Sequence, residues 1–119
     1  MGERIINLAK IAGGGLCIAS DDGDKVHQAI IEAIKQGDKV ILSFQGVEDL
    51  TSAFLNAAVG QLYGKYSEEE LKVFMLPPVD ASSEDLALLK RIVERAKDFF
   101  RNPERYKQAA REVLGDDDK

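Results

Sequence analysis

The hydrophobic positions of this chain change their spacing from segment to segment, and the spacing predicts which segments are helices. Before Gly37, apolar residues recur at intervals of three and four, at Val26, Ala29, Ile30, Ala33 and Ile34. This interval is typical of one face of an amphipathic helix. The acidic stretch SDDGD precedes the segment and Gly37 follows it, as expected for the two ends of a helix.

A short apolar block follows, and it predicts the central strand of the protein. Residues 39–44 read KVILSF, with Val, Ile and Leu consecutive, so that both faces of a strand there would be buried. Strands of this kind lie inside parallel or mixed sheets that helices cover. After a turn at Gly46, Asp49 or Thr51 can cap a second helix. Its predicted inward face consists of Phe54, Leu55, Ala58, Val59 and Leu62.

The segments on either side of this centre predict three further strands and two helices. Residues 3–9 (ERIINLA) and 16–19 (LCIA) flank the breaker cluster AGGG and predict an antiparallel hairpin. Residues 71–76 (LKVFML) stand before two prolines and predict another strand. Ser82 begins a long amphipathic helix, and Pro103 begins a last one over 103–114.

The predicted order is therefore β-β-α-β-α-β-α-α, which indicates an α/β fold. Strands joined through helices favour parallel crossovers, and the hairpin adds antiparallel character, so we expect a mixed sheet of about four strands. The 119 residues are predicted to form one domain over residues 1–114, followed by a disordered acidic tail at 115–119. The amphipathic C-terminal helices could close the core or form a homodimer, and the sequence leaves both open.

The composition narrows the classes of partner and the compartment. The net charge is −5, which disfavours nucleic acid as a partner, because binding to phosphates relies on Lys and Arg. A single cysteine, Cys17, cannot form an internal disulfide, which suits a reducing compartment. The N-terminus carries charges among its apolar residues, and no apolar run approaches the length of a membrane span. We expect a cytoplasmic protein without membrane contact.

Few residues suggest catalysis. The AGGGL cluster lacks both the Lys-Ser/Thr of a phosphate-binding P-loop and the spacing of a dinucleotide motif, so a hairpin turn is the favoured interpretation. His27 is the single histidine and is expected to be a partly exposed surface residue. Cys17 and His27 together supply too few ligands for zinc. We therefore expect no enzymatic activity, no cofactor and no metal.

The start of the helix after the central strand is the main candidate site. In an open α/β sheet, ligands and partners meet the carboxyl ends of strands and the helix starts that follow. Thr51 and Ser52 place two hydroxyls there. On the residues alone, Thr51 as a simple helix cap is favoured over phosphorylation of Ser52 or Thr51.

The stretch VILSFQGVEDLTSAFLNAAVGQLY, with the preceding helix and the following LKVFM, resembles the STAS-like domain family of unknown function. Five residues match its semi-specific motif of an apolar strand, a turn and a helix start: Phe44, Gly46, Val47, Thr51 and Phe54. The family is related to the STAS domains of anti-sigma-factor antagonists. The resemblance implies a mixed sheet with helices on one side and a role in protein–protein regulation rather than catalysis.

In those antagonists the same helix start carries Asp-Ser-Ser-Gly-Leu, whose second serine is phosphorylated by an ATP-using anti-sigma kinase. This chain has Ala53 at that serine, which cannot accept a phosphate, and Ser52 precedes it. The resemblance thus implies a protein-interaction module whose partner is a kinase-like ATPase or an anti-sigma-type regulator. The expected docking residues are Asp49, Thr51, Ser52, Phe54 and Asn56. The alternative is a small-ligand or nucleotide-binding domain that uses the same helix N-terminus and the AGGG turn.

Overall fold

The computed structural model describes residues 2–102. In chain order its elements are β1 Glu3–Asn7, α1 Leu8–Ala12, β2 Leu16–Cys17, α2 Ser20–Lys35, β3 Lys39–Ser43, β4 Asp49–Leu50, α3 Ser52–Ala58, a 3-10 helix Gly60–Gly64, α4 Glu68–Phe74 and α5 Ser83–Arg101. The protein is a small mixed α/β fold. The predicted helix over 103–114 and the predicted tail at 115–119 lie outside the described residues.

In the described part of the chain the strands lie in two small parallel sheets. β1 pairs with β3 in a register that runs from Glu3 opposite Lys39 to Asn7 opposite Ser43. On its other side, β3 forms two parallel bridges, from Val40 to Met75 and from Ser43 to Val79. β2 pairs with β4 in the second sheet. Within the described residues the predicted single sheet of about four strands is not confirmed.

The predicted N-terminal hairpin is wrong, because a short helix interrupts it. The side chain of Asn7 accepts a hydrogen bond from the backbone nitrogen of Lys10 at 2.8 Å and so caps α1. Gly13, with φ of 87°, ends the helix in the left-handed conformation that glycine adopts without strain. This helix separates β1 from β2, and each strand then finds its partner farther along the chain.

The segment 71–76 was predicted as a strand, and this prediction is also wrong. The Ser67 hydroxyl accepts from the backbone nitrogen of Glu70 at 3.1 Å, while the Glu70 carboxylate accepts from that of Ser67 at 2.8 Å. This capping box begins α4 and outweighs the strand preference of the apolar residues that follow it. Within residues 71–76 only Met75, directly after α4, bridges to β3.

The hydrophobic core lies between the first sheet, α2 and α3. One face of the sheet is buried, with Val40 and Leu42 at 0% and 3% exposure, whereas Ile5 on the opposite face is 66% exposed. Phe54 of α3 is fully buried in the same core cluster as Val26 and Ile30 of α2. The core thereby holds α3 in a fixed position against α2.

His27 lies inside the protein rather than on its surface, so the sequence-based expectation was wrong. The residue is 5% exposed, and its Nδ1 lies 3.4 Å from the carbonyl oxygen of Ala58. Burial lowers the pKa of His27, and the positive charge of Lys65 acts in the same direction. The Ala58 carbonyl and the Asp24 carboxylate raise the pKa, but their effects are smaller.

The lowered pKa predicts that the protein loses stability in mild acid. The unfolded chain takes up a proton at His27 as pH falls through about 6.5, while the folded protein resists it until lower pH. Stability from this residue is therefore complete above about pH 6.5 and falls below it, by at most about 1.4 kcal/mol per pH unit. Urea unfolding between pH 7.5 and pH 5 should show a shallower loss for His27→Gln than for the wild type. Equal slopes for the two proteins would contradict this assignment.

Candidate functional site

Thr51 positions the start of α3 and joins it to the second sheet. Its Oγ1 accepts a hydrogen bond from the backbone nitrogen of Phe54 at 3.2 Å and donates one to the carbonyl oxygen of Ile18 at 2.6 Å. Its backbone nitrogen donates to the carbonyl of Cys17 at 3.1 Å. The Thr51 hydroxyl therefore acts both as a donor and as an acceptor within the fold.

Replacing Thr51 with valine should lower the free energy of unfolding by about 1–2 kcal/mol. Valine keeps the shape of threonine but removes the cap, and caps of this kind contribute about 1 kcal/mol. It also leaves the Ile18 carbonyl without its donor. Ser52→Ala is the control, because Ser52 is exposed and one residue away. Urea midpoints that are the same for the two variants would show that the cap contributes nothing.

The other predicted site residues lie in different surroundings. Ser52 and Asn56 are exposed on α3, and Asp49 is exposed in β4. Phe54, in contrast, has no exposed surface, so its side chain packs in the core instead of facing solvent. The helix start therefore presents Ser52 and Asn56 outward and uses Phe54 as its anchor.

Ser52 and Asn56 lie on one wall of a groove between α3 and α5, named the α3–α5 groove below. Its volume is about 370 Å³. It is lined by Ser52, Ala53, Asn56, Gln61, Ile92, Arg95, Ala96, Phe99 and Phe100. Asp49 and Thr51 are not among the lining residues. The structure thus brings two of the five predicted site residues together in a concave surface.

The opposite wall of the groove comes from α5. Phe99 and Phe100 remain 40% and 37% exposed, and their rings meet edge to face with centroids 4.9 Å apart. Sequence reasoning did not identify Gln61 or Arg95 as site residues, because neither belongs to a motif.

Two contacts fix the end of α5 beside the 3-10 helix and α4. The Phe100 ring lies so close to Gly64 that a Cβ atom there would stand 2.7 Å from it. Arg101 donates two hydrogen bonds to the carboxylate of Glu68, at 2.8 and 2.6 Å, and this bonding lowers the pKa of Glu68. These contacts therefore hold the end of α5, which carries the two aromatic rings, in a fixed position.

The residues considered for catalysis are either buried or take part in helix ends and backbone hydrogen bonds. Cys17 is fully buried, and burial raises the pKa of its thiol, with Asp22 and Asp85 adding to the effect. In the AGGG turn, Gly13 ends α1, and the Gly15 carbonyl accepts from the backbone nitrogens of Glu48 and Asp49. Among residues 2–102, no three His, Cys, Asp or Glu side chains are grouped so that they could hold a metal ion.

Residues 22–80 match the family model described as STAS-like domain of unknown function (DUF4325). This segment belongs to the STAS-like family. The expected resemblance is confirmed over a range that runs from α2 to the residues after α4. No curated protein and no solved structure matches the chain.

The family match divides the α3–α5 groove into two parts. The α3 wall and Gln61 lie within the matched residues of the STAS-like domain, whereas all of α5 follows them. The exposed aromatic wall is therefore contributed by the part of the chain beyond the match. None of the helices in the described part of the chain has the length and hydrophobicity needed to cross a bilayer.

Proposed function

We propose that this STAS-like protein is a non-enzymatic interaction module that docks a regulatory partner protein in the α3–α5 groove. The observation that carries the proposal is the exposure of two adjacent aromatic rings, Phe99 and Phe100, beside the polar helix start at Ser52 and Asn56. Aromatic residues and arginine are enriched where proteins bind one another, with polar groups around them. The groove combines these features on one surface.

The charge in the groove specifies the partner further. Arg95 is a lining residue, and within residues 2–102 no ion pair joins it to a carboxylate. A partner segment that inserts an apolar side chain against Phe99 and presents an Asp or Glu to Arg95 would match both features. Family membership supports a kinase-like ATPase or an anti-sigma-type regulator as the class of partner.

Ser52 is the residue through which phosphorylation would act on this docking. Its side chain is exposed and lines the groove, whereas the Thr51 hydroxyl is engaged in the two hydrogen bonds of the cap. A phosphate on Ser52 would add a charge of about −2 inside the groove and repel an acidic partner segment. We therefore expect Ser52→Glu to weaken docking and Ser52→Ala to preserve it.

Affinity capture from cells of the native host, with the partner identified by mass spectrometry, tests the proposal. Phe99→Ala and Arg95→Ala should each reduce capture of the same partner about tenfold or more, the effect of removing an interface hot spot. Leu86→Ala and Arg91→Ala are matched controls, because both residues are exposed on α5 and do not line the groove. Equal capture by all four variants, or no partner enriched by the wild type, would refute it.

The alternative, a ligand or nucleotide site at the same helix start, has less support. Thr51 and the Gly15 carbonyl already use their hydrogen-bonding groups within the fold. A thermal-shift screen with nucleotides separates the two functions, since a ligand at 100 times its Kd raises stability by about 2.7 kcal/mol. We expect no shift with nucleotides.

A further inference from the structure

A second crevice lies where the parallel segments of the first sheet end. β1 ends at Asn7, β3 ends at Ser43, and Val79 forms a parallel bridge with Ser43. The crevice at this edge has a volume of about 450 Å³, and none of its lining residues among residues 2–102 also lines the α3–α5 groove. Ligands of open α/β proteins bind at the carboxyl ends of parallel strands, in pockets of roughly 300–1,000 Å³.

Ser43 places a hydroxyl at the floor of the crevice, and the hydrogen bonds of this hydroxyl within the fold are long. The residue is 4% exposed, and its Oγ accepts a hydrogen bond from the Gln45 backbone nitrogen at 3.3 Å. Its own proton points to the Asp80 carboxylate over 3.5 Å, which is longer than the roughly 2.5–3.0 Å usual for hydroxyl donors. A ligand group can approach both oxygens without displacing a strong bond.

Asp80 is held in a conformation that side chains rarely adopt. Its φ is 58°, and it is the one residue other than glycine with a positive φ in the described part of the chain. Strained residues of this type persist where the surrounding structure holds them, and they cluster at functional sites. The Asp80 carboxylate lines the crevice beside Ser43.

The crevice also contains a positive charge and an apolar wall. Lys10, on α1, lines it and, within residues 2–102, forms an ion pair neither with Asp80 nor with another carboxylate. Ile11 and Val79 supply apolar surface, and Val79 is 40% exposed. The crevice thus combines a carboxylate, a lysine ammonium group and an aliphatic wall. These three features match a small zwitterion with an aliphatic side chain.

We propose that this crevice binds a free aliphatic α-amino acid. The ammonium group lies against the Asp80 carboxylate and the Ser43 hydroxyl, and the carboxylate group pairs with Lys10. The aliphatic side chain packs against Ile11 and Val79. This inference is independent of the docking function, because it rests on a different set of residues.

Isothermal titration calorimetry with L-leucine tests the proposal on the full chain. Leucinamide, which lacks the carboxylate, and 4-methylpentanoate, which lacks the ammonium group, should each bind about tenfold more weakly, because each loses one charge-assisted contact. Binding of either analogue as tight as that of leucine would overturn the assignment. The absence of any heat of binding with leucine would overturn it as well.

Two variants test the charged groups directly. Asp80→Asn removes the charge and keeps a residue that tolerates positive φ, and Lys10→Met keeps the apolar stem. Each should weaken leucine binding about tenfold or more. Asp24→Asn and Lys72→Met, both exposed and outside the crevice, should leave it unchanged. Circular dichroism verifies that each variant is folded, and unchanged affinity in either crevice variant contradicts the proposal.

Discussion

Replacing Phe54 with alanine is expected to lower the free energy of unfolding by about 3–5 kcal/mol, the cost of truncating a fully buried phenylalanine. Phe54 has 0% exposure and belongs to the core cluster that joins α3 to α2 and the sheet. Alanine leaves a cavity there, and the surrounding helices cannot close it completely. Urea denaturation, with the midpoint and slope fitted together, measures the loss.

Phe99→Ala is the matched control for this prediction, because it truncates the same side chain at a 40% exposed position on the α3–α5 groove. Its effect on stability should stay below about 1 kcal/mol. The two variants therefore separate folding from docking: Phe54→Ala destabilises the protein, and Phe99→Ala weakens partner capture in a stable one. If the two variants unfold at the same urea concentration, the assignment of Phe54 to the core is wrong.

Replacing Gly23 with alanine should lower the free energy of unfolding by about 1–3 kcal/mol, the usual cost of overpacking a core contact. A Cβ atom on Gly23 would stand 2.4 Å from the Phe54 carbonyl oxygen and 2.9 Å from the Cβ of Ala57. The oxygen belongs to the α3 backbone, so it cannot rotate away, and α2 and α3 must move apart. This cost exceeds the gain of up to about 1 kcal/mol that alanine brings to a helix.

Gly14→Ala is the control, because among residues 2–102 no atom beyond its chain neighbours lies within 4 Å of the position of a Cβ there, and its φ is not positive. Its midpoint in urea should therefore remain close to that of the wild type. A loss of stability in Gly14→Ala as large as that in Gly23→Ala would show that the effect comes from the loss of a glycine rather than from the α2–α3 contact.

The local signals of the sequence were sufficient for the central part of the fold. The three- and four-residue spacing predicted α2, and the consecutive apolar residues predicted β3. Thr51 was predicted as a candidate cap of α3, and its hydroxyl does accept from the Phe54 nitrogen. These features depend on contacts between residues that are close in sequence, so the sequence alone is enough to predict them. The family match covers the same stretch.

The pairing of the strands could not be predicted from such local patterns. The predicted hairpin joined β1 to its neighbour in sequence, whereas the structure pairs β1 with β3 in parallel. The local feature that begins α1 is the side chain of Asn7, which caps it. A single asparagine inside an apolar run is too weak a pattern to predict a helix of five residues. The capping box at Ser67 and Glu70 indicates the start of α4 in the sequence itself. It was overlooked because the apolar residues after it favour a strand.

For the candidate site, the sequence by itself determined the helix start, with Thr51 as a cap and Ser52 and Asn56 beside it. Only the tertiary structure decided which of these side chains are available. It buries Phe54 in the core and exposes Ser52. It also places Ser52 in one groove with Arg95 and Phe99 of a helix far along the chain. The physical reason is that capping and helical periodicity are set by neighbouring residues. A groove, in contrast, exists only after distant helices pack, and the packing depends on the summed burial of the whole core.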